Sequence, residues 1–291
     1  MNQGMQAISP AVLRGVKELQ EWVESERVLG RGIGFVPTMG ALHAGHASLI
    51  QAAAERGDRV VVSVFVNPTQ FNDASDYSRY PLTPDADLAL VESAGGDAVF
   101  MPTVEEMYSG DLAVEPVDMG GLTSGWEAVD RPGHFDGVVA IVDRLFQAVR
   151  PDRAYFGEKD LQQLAVVRTM AAERHPNVEV IGCPLIRDVD GLALSSRNVR
   201  LSAAAREVAH ALPASLQRLR ARLAAGEGPM DALLAVRAEL TAVAGVELAY
   251  LDLVQRDTFA AWEPGARGPF FAVLAATVGG VRLLDNLEVI S

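Results

Sequence analysis

The chain has 291 residues, 49% hydrophobic and 22% charged, with a formal charge of −13. That length and composition give one large or two medium globular domains and exclude a disordered chain. The acidic balance argues against a broad nucleic-acid surface, which needs clustered Lys and Arg, so any anion must meet a small local positive site.

One cysteine, Cys183, leaves no partner for an intramolecular disulfide or a multi-cysteine metal cluster, and its I-G-C-P-L setting suits a buried thiol. The opening M-N-Q-G-M-Q-A-I-S-P has no basic segment followed by an apolar one, so no secretory leader is expected. No apolar run approaches the roughly 20 residues that span a bilayer. A cytoplasmic protein without membrane contact is the expectation.

In chain order, strands are predicted at 33–36, 60–66, 97–101, 154–156 and 178–181, each β-branched or aromatic-rich and bounded by Gly, Pro or Asp. Helical spacing fills about 46–56, 84–95, 138–149 and 160–175. This alternation predicts an α/β, Rossmann-like, doubly wound parallel sheet covered on both faces. Its strand C-termini share one edge, so the segments 37–46, 67–71 and 157–159 should converge there. From about Asp188 the pattern changes. One helical stretch is predicted over 202–225, broken by Gly226-E-G-P, and another over 230–243; apolar runs at 246–254, 269–277 and 281–285 suggest a small sheet. The expected division is residues 1–186 as a nucleotide- and substrate-binding domain and 187–291 as a smaller α+β C-terminal domain.

The segment P-T-M-G-A-L-H-A-G-H places His43 and His46 three residues apart where a strand turns into a helix. A helix N-terminus attracts phosphate, and Gly40 and Gly45 allow close backbone approach. Alone, the pair is balanced between that role and ordinary surface histidines, and zinc binding lacks a third ligand at a recognised spacing. Asn67-Pro-Thr-Gln70 ends an apolar strand and reads either as a plain turn or as an amide, Gln70, for a substrate with hydroxyl and carboxylate groups. In Y-F-G-E-K-D-L-Q-Q, Lys159 and Asp160 suit phosphate and ribose, or simply start a helix. No phosphate loop of the G-x-x-x-x-G-K-[ST] type is present. Ser195, Ser196 and Arg197 in D-G-L-A-L-S-S-R-N form a compact anion grip or an ordinary turn. Arg131-P-G-H-F-D-G137 is ambiguous by itself.

In this order and spacing, these motifs and the R-L-L-D-N tail resemble the pantoate–β-alanine ligase (pantothenate synthetase) family, within the HxGH nucleotidyltransferase superfamily. The resemblance covers nearly the whole chain. It implies an ATP-dependent ligase: pantoate attacks the α-phosphate to give pantoyl adenylate and pyrophosphate, then β-alanine attacks the acyl carbon and releases AMP. It implies catalytic roles for His43, His46, Lys159 and Arg197, with His46 as proton donor. It further implies an ATP site formed by Met39, Gly40, Ala41, Leu42, His43, Ala44, Gly45, His46, Gly157, Glu158, Lys159, Asp160, Ile186, Leu194, Ser195, Ser196 and Arg197. Gln70 and Gln163 would hold pantoate, with Gln70 also near β-alanine. Mg²⁺ is implied with Asp87 as its carboxylate, although Asp85 and Asp87 equally suit a helix N-terminus. A homodimer is implied as well, and because an acyl adenylate hydrolyses, a C-terminal domain that carries Ser195, Ser196 and Arg197 is expected to close as a lid. One departure is Leu82, where the family often has arginine in Y-P-R-T. Two other readings remain open: an HxGH enzyme making a dinucleotide cofactor, which needs no acyl-substrate glutamines, and a non-catalytic nucleotide sensor.

Overall fold

The computed structural model describes residues 9–71, 77–256, 258–266 and 268–290. Residues 1–8, which carry most of the segment read for a leader, lie outside the described residues.

Six parallel strands form the larger sheet: β1 (Ala11–Leu13), β2 (Ile33–Thr38), β3 (Arg59–Val64), β4 (Ala98–Phe100), β5 (Arg153–Gly157) and β6 (Glu179–Cys183), in the order β1-β4-β3-β2-β5-β6. The central strand β3 reads R-V-V-V-S-V and buries both its faces, as a strand covered by helices on each side must. Helices α1 (Val16–Val28), α6 (His134–Val149) and α7 (Leu161–Arg174) bring Leu19, Phe146 and Met170 to one face. Helices α2 (Ala44–Glu55) and α3 (Pro84–Ala94) bring Ile50 and Val91 to the other. Between these lie two short helices, α4 (Val104–Tyr108) and α5 (Glu127–Asp130).

Strands β3, β4 and β1 extend from β2 in one direction and β5 and β6 in the other, so the winding reverses between β2 and β5. Ligands bind such sheets outside the strand carboxyl ends at this switch point. The turns that leave β2 and β5 there carry His43, His46, Lys159 and Asp160. Strand β1 and helix α1 open the sheet ahead of the first strand expected from the sequence; a three-residue edge strand is too short to show a period.

The C-terminal part is a three-stranded antiparallel sheet of β7 (Val246–Gln255), β8 (Phe270–Val278) and β9 (Val281–Ile290). Gly279 and Gly280, at φ +56° and +75°, form the two-residue hairpin between β8 and β9. Helices α8 (Ala203–Ala209), α9 (Ala211–Ala224) and α10 (Pro229–Thr241) cover one face, packing Ala209, Leu212, Leu216 and Val236 against Leu251 of β7 and its neighbours. The single helix expected over 202–225 is two. Pro213 has no N–H for the carbonyl of Ala209 and its ring crowds that carbonyl, so the helix restarts at His210. On the opposite face Val254, Phe271 and Val273 meet Leu161 and Ala165 of α7, so an apolar seam joins the two sheets. Cys183 is buried at the end of β6. Among the described residues no helix is long and apolar enough to cross a membrane.

Candidate active site

A cavity of about 250 Å³ opens at the carboxyl ends of β2 and β5, walled on its far side by the C-terminal sheet. Its polar wall includes His43, His46, Gln70, Lys159, Asp160, Gln163 and Arg197; Phe156, Leu161, Val273 and Leu284 are among its apolar groups.

The histidine corner is built by main-chain hydrogen bonds. His43 is the N-cap of α2, and its Nδ1 accepts from the N–H of Gly45 at 3.1 Å. His46 sits one turn on, and its Nδ1 accepts from the N–H of His43 at 3.2 Å, completing a reciprocal capping box. With both Nδ1 atoms accepting, the proton of each neutral ring belongs on Nε2. The rings lie 4.1 Å apart between centroids, tilted by 38°. Burial, reinforced by Lys159, lowers the pKa of His43 to about 4. Burial, then His43 and Lys159, lowers that of His46 to about 3. Both imidazoles are therefore neutral hydrogen-bond donors at pH 7.

Gly45 has a reason other than phosphate approach. A Cβ there would stand 2.9 Å from His43 Cε1, so a side chain would evict the capping ring. Gly40 does need backbone freedom, with φ at +83°, and Ala41 follows it at +49°. This unusual pair is held by Asp87, only 2% exposed, whose Oδ2 accepts from Ala41 N–H at 3.1 Å and Oδ1 from Leu42 N–H at 2.8 Å. The Thr83 hydroxyl adds a third donor to Asp87 at 3.1 Å. Asp87 thus braces the turn, a structural task beyond the metal-binding one that the resemblance implies.

The lysine corner follows β5 as a single 3₁₀ turn, Glu158–Asp160. Lys159 Nζ lies 3.3 Å from Asp160 Oδ2. Burial opposes ionisation of Asp160, but Lys159, Arg131 and Arg197 outweigh it and hold the carboxyl below its usual range. Facing this turn is the loop 194–197, tethered by two bonds. Leu194 N–H donates to Ile186 O at 3.0 Å, and the Ser196 hydroxyl donates to Ala41 O at 3.1 Å. Ser195 caps its own 3₁₀ turn, and the Arg197 guanidinium stands 5.9 Å from the Tyr80 ring centroid.

The Gln70 corner joins a near neighbour, Asn67, to groups remote in sequence. Gln70 Oε1 accepts from Asn67 Nδ2 at 3.1 Å, and its Nε2 lies 2.9 Å from Met39 Sδ. Asn67 Nδ2 also donates to Gly137 O at 3.0 Å, and its Oδ1 accepts from Tyr108 OH at 2.6 Å. The Gln70 carbonyl accepts from His134 Nδ1 at 2.9 Å, while His134 Nε2 receives Arg131 at 3.0 Å, which fixes the tautomer. Burial, then Arg131, lowers the pKa of His134 to about 3. A Cβ on Gly137 would come within 2.4 Å of Thr69 O, so α6 can pack on this turn only with glycine there. The R-P-G-H-F-D-G segment, ambiguous as sequence, is the support of Gln70.

Of the expected residues, Met39, His43, Gly45, His46, Gln70, Gly157, Lys159, Asp160, Gln163, Ile186, Leu194, Ser195, Ser196 and Arg197 line this one cavity. Gly40, Ala41, Leu42 and Ala44 are not in its wall, and buried Glu158 turns to Arg256 at 2.7 Å. Gln162, beside Gln163, also lines the cavity, and its Nε2 pins the loop before α5 through Leu122 O and Gly125 O, both at 2.9 Å. Sequence reading missed Asn67, Tyr80, Arg131, His134 and Asn286, all on the wall. Most of these lie in the motifs given above, but nothing in their local spacing assigns them a partner.

Comparison with known proteins agrees on one relationship. The family model for pantoate–β-alanine ligase matches residues 11–288. A pantothenate synthetase of Corynebacterium glutamicum (strain R) is 49% identical over 263 residues, which is 89% of this chain and 94% of that protein. The crystal structure of pantothenate synthetase from Thermus thermophilus has a TM-score of 0.90 at 43% identity, covering 97% of this chain and 100% of the other. A pantoate–β-alanine ligase from Francisella tularensis, solved with beta-gamma ATP and β-alanine, has a TM-score of 0.80 at 32% identity, covering 96% and 97%.

Proposed function

The chain belongs to the pantoate–β-alanine ligase family, and we propose how its own residues carry that family's reaction. The reaction joins (R)-pantoate to β-alanine at the expense of ATP. A pantoate carboxylate oxygen bonds to the α-phosphorus as the bond to pyrophosphate breaks; the β-alanine amine then attacks the acyl carbon of pantoyl adenylate, and AMP leaves.

The observation that supports the assignment of roles is the meeting, on one cavity, of two neutral imidazoles, a lysine and two glutamine amides. His43 and His46 donate Nε2–H bonds to phosphate oxygens, and Lys159 and Arg197 oppose the charge that gathers as carboxylate meets triphosphate. Asp160 takes the ribose hydroxyls, and the backbone of Ile186 flanks adenine. Gln70 and Gln163 hold pantoate with its carboxylate toward the α-phosphate, a positioning role that is itself catalytic. The remaining expected ATP-site residues, Gly40, Ala41, Leu42, Ala44 and Glu158, act by shaping their turns.

Mg²⁺ is proposed to arrive on the nucleotide. Among the described residues no group of three or more His, Cys, Asp or Glu could hold a metal ion. The nearby carboxylates are engaged elsewhere, Asp87 by the backbone, Asp160 by Lys159 and Asp285 by Arg187. Bound to phosphates and water, the ion supplies charge neutralisation.

We take residues 187–291 as the lid over the cavity, since the loop 194–197 already reaches Ala41. Closure protects the acyl adenylate from water. Small-angle scattering that shows equal domain spacing with and without ATP and pantoate speaks against lid motion. A homodimer, as in the family resemblance, is checked by light scattering, and the cytoplasm is the proposed compartment because ATP is supplied there. The deciding assay is AMP release: it requires pantoate and β-alanine together. Release in the absence of either substrate contradicts the ligase reading, and ATP binding without pyrophosphate release on adding pantoate points to a sensor.

A further inference from the structure

The turn that carries Lys159 has two main-chain carbonyls, those of Glu158 and Lys159, facing the C-terminal sheet. Both are taken by one side chain. Asn286 Nδ2, on β9, donates to Glu158 O at 2.7 Å and to Lys159 O at 3.0 Å, using both hydrogens of the amide. Asn286 is itself fixed from behind, 4% exposed, with its N–H donated to Asp285 Oδ1 at 2.7 Å. Its main-chain carbonyl accepts from Arg187 at 2.9 Å. Arg187 grips Asp285 through two bonds, at 2.9 and 2.8 Å, and also donates to Gly191 O at 2.9 Å. Arg187 opens the hairpin whose other arm, through the Arg187–Ala193 bridge, leads into the loop 194–197. Three segments distant in sequence therefore meet at one amide: the Lys159 turn, the last strand, and the base of the loop that carries Ser196 and Arg197.

We infer that Asn286 is a positioning residue for the adenylation step, setting the place of Lys159 in the cavity and coupling it to the loop 194–197 through Arg187 and Asp285. The inference rests on the reading of Lys159 as the phosphate-binding lysine. Asparagine suits this place because its amide supplies two hydrogens to two carbonyls about 3 Å away. Aspartate has the same shape but would set oxygen against oxygen. Displacement of a reacting group by about 1 Å can cost about 10²-fold in rate, so a small shift of this turn reads out strongly.

The test is a double-mutant cycle on pyrophosphate release from ATP and pantoate, using the full chain with Asn286→Ala, Lys159→Ala and both together. Asn286→Ala is expected to lower kcat by about 10²-fold, with the KM for pantoate unchanged because Gln70 and Gln163 are not touched. In the Lys159→Ala background the same substitution is expected to have almost no further effect. Isosteric Asn286→Asp keeps the packing volume and carries the same test if the alanine variant does not fold. An Asn286 effect of equal size in both backgrounds overturns the inference alone, since Asn286 then acts without Lys159. A rise in pantoate KM that matches the fall in kcat also overturns it, as general loosening of the cavity. Lys159→Ala turning over at the parent rate overturns the reading of Lys159 and the inference with it.

Discussion

The two polar corners of the cavity are built in opposite ways. At the nucleotide corner, His43 and His46 are oriented by main-chain N–H groups two and three residues away, within one helix cap. At the pantoate corner, Gln70 is oriented by Asn67, which depends on Tyr108 and on the carbonyl of Gly137, and by His134 beneath its own carbonyl. The first is a local device that any sequence with the motif carries into its fold. The second exists only after α4 and α6 have packed. Damage to the first should therefore show as lost chemistry with an intact fold, and damage to the second as lost fold and lost substrate affinity together.

His46→Ala gives the largest expected effect on that contrast. Removing one donor aimed at developing phosphate charge costs about 2.7–4 kcal/mol of barrier, or roughly 10²–10³ in rate. The urea midpoint should move little, and a variant that loses stability in proportion to rate breaks the contrast. Gly137→Ala tests the other corner. Its Cβ meets main chain at 2.4 Å, and overpacking of this kind costs about 1–3 kcal/mol. Urea unfolding should show that loss, and steady-state kinetics a raised KM for pantoate with the KM for ATP nearly constant.

Asp87→Asn should cost about 1–3 kcal/mol, since one of the part-buried N–H groups of Ala41 and Leu42 loses its acceptor on a buried side chain. The Mg²⁺ concentration for half-maximal activity should stay where it is; a marked increase would restore Asp87 as a metal ligand.

The contrast also has a pH signature. His43, His46 and His134 all have folded pKa values below the ordinary 6.5, at about 4, 3 and 3. Between those values and 6.5 the unfolded chain binds protons that the folded chain does not, so stability is full above pH 6.5 and falls as pH drops toward 3. The two corners separate on adding a non-hydrolysable ATP analogue. Triphosphate charge favours the imidazolium forms of His43 and His46 and should raise both values, whereas His134, behind Gln70, should barely respond. Imidazole NMR titration measures each ring, and an equal shift in all three would erase the distinction. The smallest effect belongs to Leu82→Arg. Leu82 is 75% exposed, so the substitution should stay within about ±0.5 kcal/mol by thermal melting and leave turnover unchanged.

Much of this was legible in residue order alone. Short apolar runs separated by helix-spaced segments fix a parallel sheet, because only crossover helices can cover both of its faces. That in turn brings the segments after β2, β3 and β5 to one edge. The HxGH capping box was legible as a motif because its partners are three residues apart. Its purpose was only half legible: Gly45 reads as a phosphate-approach glycine, whereas its lack of a Cβ makes room for the His43 ring.

What spacing could not hold is whatever depends on distance through space. The break at His210 was readable from Pro213, but the task of Asp87 was not, because a carboxylate in a first turn suits a helix dipole, a metal or a neighbouring loop equally. The sequence by itself determined the sheet, its ligand edge and the chemical types gathered there. Tertiary structure decided their charge and their aim: burial beside Lys159 keeps two histidines neutral, and the packing of α6 and β9 fixes Gln70 and the Lys159 turn. Desolvation and hydrogen-bond geometry are properties of the packed chain, and no stretch of residues carries them alone.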